Sequence, residues 1–424
     1  MINKLFNHLN FNVSKYYSIL ILDKIISVFF LFFLAKILTE SEYGLYSMSI
    51  SISSYISNIL LFGIGTPILV IFSKSSNLSK KTFEVIINLF KISILSLFFF
   101  SVFLITFNKF FSRNLFGDES YVIFLLPLII IFVFDIISEY NIIYHRIKER
   151  FIINSKFLIF RNLIRILSFL IFYQLDYSFI LSFLFSYLLA LFYTLRQNSF
   201  FIKFISSVYY SGILLEKKSI ESKILKEGFL FLIIYILMNF NLYFINFYII
   251  NFIALETYAT YAFNLTIVNA PFTIINFLVY YSFPKYLYEN KKKLSYKNLI
   301  KDFLLGVIVI LSFFLFIYFF YDFLLFQLSK NSFSNFNLLT IIYIYMFMNS
   351  VVNFLCFPIL KEKKYLKLIL IFLISILINL TVIFLTESIN IYKPILSLIF
   401  AQSVVILIMF ISIYERKNTF YSTS

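Results

Sequence analysis

The sequence predicts an all-α integral membrane protein of about twelve transmembrane helices in two six-helix halves, related by a pseudo-two-fold axis along the membrane normal. Three observations carry this reading. First, the 424 residues are 61% hydrophobic and only 13% charged, with a mean hydropathy of +0.93. A soluble domain holds roughly 45–50% apolar and about 25% charged residues, so a water-soluble enzyme is excluded, as is a disordered chain, which would lack apolar residues. Second, apolar runs of about 20 residues, the length needed to cross a hydrocarbon core of roughly 30 Å, recur twelve times. Third, the basic residues alternate between successive loops. One cysteine, Cys356, excludes a disulfide framework and any multi-cysteine metal site. Two histidines, His8 and His145, are too few for a His-based metal centre, so neither metal nor cofactor is expected.

Coding bias accounts for part of the composition. Phe (61) and Tyr (32) are abundant while Gly (7), Pro (6) and Trp (0) are scarce, the signature of AT-rich codons and of a bacterial genome. Aromatic richness is therefore no sign of stacking on sugars or bases, and Tyr takes the place of Trp in the interfacial belt.

The spans of the first half fall at about 15–37, 45–72, 85–107, 121–143, 154–174 and 177–195, and those of the second at about 228–251, 257–282, 302–325, 336–359, 366–386 and 391–413. The first is too long, and lacks the small-residue cleavage site, for a signal peptide. The predicted organisation is an N-terminal half over 1–195, a cytoplasmic linker over 196–227, a C-terminal half over 228–414 and a cytoplasmic tail over 415–424. Within the linker, Phe200–Leu215 is expected to lie along the membrane surface. Loops after the even-numbered spans, with both termini, hold 27 of the 36 basic residues, and the other loops hold five. This places both termini in the cytoplasm of a bacterial cytoplasmic membrane. The net charge of +16 then reflects topology and contact with anionic lipid and calls for no nucleic-acid partner.

Ionisable residues inside the hydrocarbon core are costly, and by default mark function or a bundle interior. Span 1 carries Asp23-Lys24, which point about 100° apart, so that one lines a cavity while the other turns to a neighbouring helix. Lys91, about six residues into span 3, is within snorkelling reach of the interface. On span 4, Asp135 and Glu139 share a face; Asp135 reads as the partner of Arg161, either a switchable gate or a fixed clamp, and as a site for a coupling proton. On span 5, Arg161 and Arg165 are four apart on one face, about 11 and 16 Å deep at 1.5 Å per residue. A guanidinium keeps its charge and chelates phosphate oxygens bidentately, which suits a diphosphate or an acidic sugar; snorkelling or interhelical pairing is the structural alternative. Asn239/Asn246 and Asn349/Asn353 suit sugar hydroxyls or interhelical hydrogen bonds. Pro67, Pro127, Pro271 and Pro358 read as kinks or hinges. No Gly-rich phosphate loop is present, so the energy source is a gradient or the cargo's own concentration difference.

The halves echo each other at an offset of about 215 residues: Glu42-Tyr43-Gly44-Leu45-Tyr46 against Thr257-Tyr258-Ala259-Thr260-Tyr261, Pro67 against Pro284, and the basic stretch His145–Phe151 against Leu360–Tyr365. At that offset Met238 and Asn239 stand opposite Asp23 and Lys24. Six spans per half give both halves one orientation, as in transporters that bind cargo between rocking halves.

The stretch from Leu34 to Tyr46 resembles the "LAR-x-L-x-x-x-x-YG-x-Y" opening of polysaccharide flippases. Phe62-Gly63-Ile64-Gly65-Thr66-Pro67 is similar to the "D-x-G" stretch ending their second span, although Leu61 or Phe62 stands where an acid is common. Tyr261-Ala262-Phe263-Asn264 and Phe283-Pro284 resemble their signatures around span 8. The chain is identified on this order of motifs with the Wzx-type flippases of the multidrug/oligosaccharidyl-lipid/polysaccharide exporter superfamily. The resemblance implies a transporter, not an enzyme, moving a polyprenyl-pyrophosphate-linked oligosaccharide to the outer leaflet, with membrane lipids, a glycan polymerase and glycosyltransferases as partners. On this reading Arg161, Arg165 and Lys24 bind substrate, while Asp23, Asp135 and Glu139 couple an ion or gate. The rival on the same fold is a proton- or sodium-coupled multidrug antiporter. A membrane glycan polymerase is disfavoured by the short external loops.

Overall fold

The structure is a computed structural model and describes residues 11–65, 80–147, 151–197, 219–269, 311–319, 335–361, 364–386 and 390–421, with residues 68, 272, 304, 307, 308, 321 and 333 between them. The surface segment Phe200–Leu215, Pro67, Pro271, and the later part of span 8 and parts of span 9 lie outside the described residues. The named helices are α1 (Phe11–Ile37), α2 (Glu40–Leu60), α3 (Lys80–Thr106), α4 (Asn108–Phe116), α5 (Leu125–Ile147, entered through a 3₁₀ turn at Glu119–Phe124), α6 (Phe151–Gln174), α7 (Phe179–Gln197), α8 (Ser219–Phe252), α9 (Phe336–Lys361), α10 (Tyr365–Leu385) and α11 (Tyr392–Tyr421). Among the described residues, seven helices are long and apolar enough to cross a bilayer, and α1 adds the shorter apolar stretch Ile25–Ile37. The all-helical fold agrees with the expected class, and the twelve-helix, two-half layout is consistent with these elements.

Two boundaries depart from the sequence reading. The second span is interrupted: α2 ends at Leu60, and Phe62 and Gly63 take positive φ of 51° and 60° before helical residues at 65 and 68. The close approach of another helix explains the break. A Cβ on Gly63 would stand 2.6 Å from the Gly228 carbonyl oxygen, and one on Gly228 would stand 2.8 Å from that of Phe62. Only glycines let these two backbones meet. The seventh span begins earlier than expected, α8 starting at Ser219 inside the stretch assigned to the linker. Pro127 occupies the first turn of α5, where its missing N–H disturbs no helical bond.

The residues group into two compact units, Met1–Phe30 with Tyr46–Leu232, and Leu31–Leu45 with Ile233–Ser424. In unit 1, α5 packs against α3, α6 and α7, and α6 against α7. In unit 2, α9, α10 and α11 pack together, burying Val352, Leu355, Leu368, Phe372, Val405 and Met409. Burial explains why Leu31–Leu45 belongs to unit 2. Leu34, Ala35, Leu38 and Tyr43 are wholly buried, the Tyr43 ring meets Phe263 and Phe333 at 6.3 and 5.3 Å, and a Cβ on Gly44 would lie 2.9 Å from the Leu255 carbonyl oxygen. Beside it, the Ser41 hydroxyl donates to Glu256 at 2.6 Å across 215 residues of chain.

Candidate functional site

The charged residues singled out in the first half converge in unit 1. α1 turns Asp23 inward, where it is 5% exposed and accepts a 2.6 Å hydrogen bond from the Asn162 amide of α6. One turn on, the Ser27 hydroxyl donates to the Asp23 carbonyl. The side chain of Lys24 lies outside the described residues. Asp135 of α5 is half-buried and receives the Ser53 hydroxyl of α2 at 2.5 Å and Ser57 at 3.5 Å. The expected Asp135–Arg161 ion pair is therefore not made. The serine-rich face of α2 satisfies the carboxylate, and the Arg161 guanidinium lies over the Phe134 ring, 4.8 Å from its centroid. The two charges still act on each other through the field, as do Asp135 with Glu139 and Asp23 with both arginines. Glu139 is half-buried beside the chain break that follows α2; a Cβ on Gly65 would stand 3.9 Å from its Oε1.

Arg165 donates from Nη1 to the Tyr187 hydroxyl of α7 at 2.9 Å, with its guanidinium carbon 5.4 Å from that ring's centroid. Tyr187 stands edge-on to Phe134 at 5.4 Å and to Phe183 at 5.3 Å. Both arginines thus rest on an aromatic floor, where cation–π attraction is worth about 0.5–2 kcal/mol and no acid neutralises the cation locally. A guanidinium has five N–H donors; among the described residues Arg161 uses none in a hydrogen bond and Arg165 only the one to Tyr187. The result is an electrostatic cluster of three carboxylates and two guanidiniums, Asp23 buried and the others half-buried, in which the cations keep spare donors.

Asn162, Tyr187 and Ser53 escaped the sequence reading. Their signal was faint: an amide beside Arg161, one hydroxyl among many tyrosines, and one serine in the run from Ser47 to Ser57. Lys91 is 4% exposed and so held inside the protein rather than drawn out to the membrane surface. Asn239 bonds the Tyr235 carbonyl of its own helix, and Asn349 accepts from Gln402 of α11.

No protein-family model matches the chain, and no curated protein matches it. Solved structures do. An inward-facing multidrug resistance MATE family transporter of the MOP superfamily superposes with a TM-score of 0.67 at 12% identity, covering 98% of this chain and 97% of that one. An outward-facing conformation of a multidrug resistance MATE family transporter gives 0.61 at 11% identity, with 96% of each chain covered. A MOP superfamily transporter from Pyrococcus furiosus, for which a reverse polarity of the binding pocket suggests a different function, gives 0.64 at 12% identity over 96% of this chain and 95% of that one. At such identities the likeness concerns the fold: this chain has the fold of the MOP-superfamily transporters over nearly its whole length.

Proposed function

We propose that the protein is an ion-coupled secondary transporter working by alternating access, with Asp23, Asp135 and Glu139 as coupling or gating acids and Arg161, Arg165 and Lys24 as the cargo-facing cations. The observation that carries the coupling role is the buried Asp23–Asn162 contact. It is a buried carboxylate held by a neutral amide rather than by an ion pair. The fold by itself favours a proton- or sodium-coupled multidrug antiporter, since the solved structures it resembles include multidrug transporters.

A second cargo reading, a polyprenyl-pyrophosphate-linked oligosaccharide flipped to the outer leaflet for surface polysaccharide synthesis, is supported by one specific observation. The Arg161 and Arg165 guanidiniums keep unused N–H donors beside no paired acid, which suits a diphosphate better than a cationic drug. The order of flippase-like motifs along the chain points the same way, and the Pyrococcus furiosus structure is described as having a pocket of reverse polarity on this fold.

One reconstitution separates the readings. Proteoliposomes receive either a lipid-linked oligosaccharide, read by its exposure to an external glycosidase, or a cationic dye, read by efflux, each with and without a pH gradient. Gradient-dependent glycan exposure that Arg165→Ala abolishes supports the flippase. Dye efflux that Asp23→Asn abolishes, with no glycan movement, supports the antiporter. Movement of neither cargo removes the transport assignment.

A further inference from the structure

α5 does not end its polar character at Asp135. Ser138, Asn141 and His145 follow at spacings of three, three and four, a stripe along one side of the helix, and they are 2%, 0% and 6% exposed. On α6, Asn154 (0% exposed) precedes Arg161 and Arg165 by seven and eleven residues, on the same face. The Ser138 hydroxyl and both amide atoms of Asn141 and of Asn154 have no hydrogen-bond partner among the described residues. A buried polar atom left unsatisfied is destabilising, and the usual remedy inside a protein is water, each molecule making about three hydrogen bonds to otherwise unsatisfied groups. Unit 2 shows what the alternative looks like. There Asn241 donates to Ser375, Asn379 donates to Asn241 and Ser397 donates to Asn379, so the buried amides bond each other. In unit 1 the orphaned groups sit instead in a row leading to an acid. α5 ends at Ile147, α6 begins at Phe151 and the two pack together, so His145 and Asn154 both lie within one turn of that basic end, with Asp135 about 15 Å further along α5 at 1.5 Å per residue.

We propose that Ser138, Asn141 and Asn154 line a file of internal water running from the loop end of α5 and α6 to Asp135, and that this file supplies the proton that Asp135 exchanges. The proton-delivery part rests on the coupling role proposed above; the hydration part does not. Amides and a hydroxyl suit such a file because each both donates and accepts, holding water without charging it. Arg161 and Arg165 on the same face of α6 would repel a permanent cation such as Na⁺ from the inner end, while Asp135, with Glu139 one turn away, would draw a proton on.

The experiment begins in a Cys356→Ala background, which removes the chain's single cysteine. Ser138→Cys, Asn141→Cys and Asn154→Cys are compared with Ile137→Cys and Leu158→Cys on the same two helices, apolar positions that are slightly more exposed (4% and 9%). Silver ion, about the size of a water molecule, is added to the purified protein, and protection of each thiol is read by maleimide labelling after denaturation. At least tenfold faster silver protection at 138, 141 and 154 than at 137 and 158 is expected. Equal rates overturn the proposal. Ser138→Cys is nearly isosteric and keeps the test open if an asparagine variant fails to fold. In proteoliposomes, Asn141→Leu with Asn154→Leu is expected to slow gradient-driven transport at least tenfold while leaving cargo affinity unchanged; an unchanged rate overturns proton delivery. Wild-type protein that transports without any proton dependence would sink the coupling reading instead. The two failures are told apart because silver labelling needs neither cargo nor gradient.

Discussion

The two units place similar helices around similar polar contacts and fill them with different chemistry. In unit 1, α1 and α6 meet through Asp23 and Asn162, 139 residues apart; in unit 2, α8 and α10 meet through Asn241 and Asn379, 138 residues apart. The first contact holds a titratable carboxylate with two arginines in its field. The second is a closed chain of neutral amides and hydroxyls that Ser397 of α11 completes at 2.6 Å. An offset of 215 residues sets Met238 opposite Asp23, and the nearest buried polar group of α8 to that position is Asn241, three residues on. A closed neutral network rigidifies, because every member is satisfied. The contact in unit 1 holds a carboxylate and the one in unit 2 holds none. That difference is what places the proposed coupling role in unit 1 rather than unit 2.

Four experiments break or sharpen that contrast, from the largest expected effect to the smallest. Asp23→Asn makes the unit 1 contact chemically like that of unit 2; gradient-driven transport in proteoliposomes should fall at least tenfold while the melting temperature stays close to wild type. A coupled rate that survives would remove the distinction. Asn379→Leu strips two hydrogen bonds from the unit 2 chain and leaves buried partners unmatched, so thermal unfolding in detergent should show a loss of about 1–3 kcal/mol, with the transport rate per folded molecule unchanged. Tyr187→Phe releases Arg165 from its single protein hydrogen bond. Interhelical bonds in membranes are worth about 0.6–2 kcal/mol, so a loss near 1 kcal/mol is expected, together with a change in cargo affinity that Asn379→Leu does not share.

The smallest effect concerns Ser41→Ala. The Ser41 hydroxyl and the Glu256 backbone N–H hold the Glu256 carboxyl below its ordinary 4.5. A carboxyl lowered in the folded state stabilises it above the unfolded value, and that contribution is lost as pH falls through the folded one. Because Glu256 is exposed, solvent screening keeps the term to a few tenths of a kcal/mol. Wild type and variant should therefore differ slightly in melting temperature at pH 7, and the difference should fade below pH 4.5. A difference that persists in acid would assign the effect to packing at the neighbouring Gly44–Leu255 contact.

Much of this molecule was legible before its structure. The 61% hydrophobic composition and the recurrence of 20-residue apolar runs dictate helices, because lipid leaves no other partner for backbone N–H and C=O groups. Charged residues within those runs were marked by their cost alone, and Asp23, Asp135, Glu139, Arg161 and Arg165 do gather in one unit. The partners were not legible. Helical periodicity states which residues share a face, but which neighbour that face meets depends on how the helices cross and rotate. Hence Asp135 takes the Ser53 and Ser57 hydroxyls rather than Arg161, and Asp23 takes Asn162. The break after Leu60 was equally hidden, because the left-handed Gly63 meets the backbone of Gly228, a residue 165 positions away in the chain. Composition and local pattern, which act through solvent and short range, determined the membrane location, the helices and the charges. Tertiary contact decided which polar groups meet these charges and which of the cations are left with spare donors.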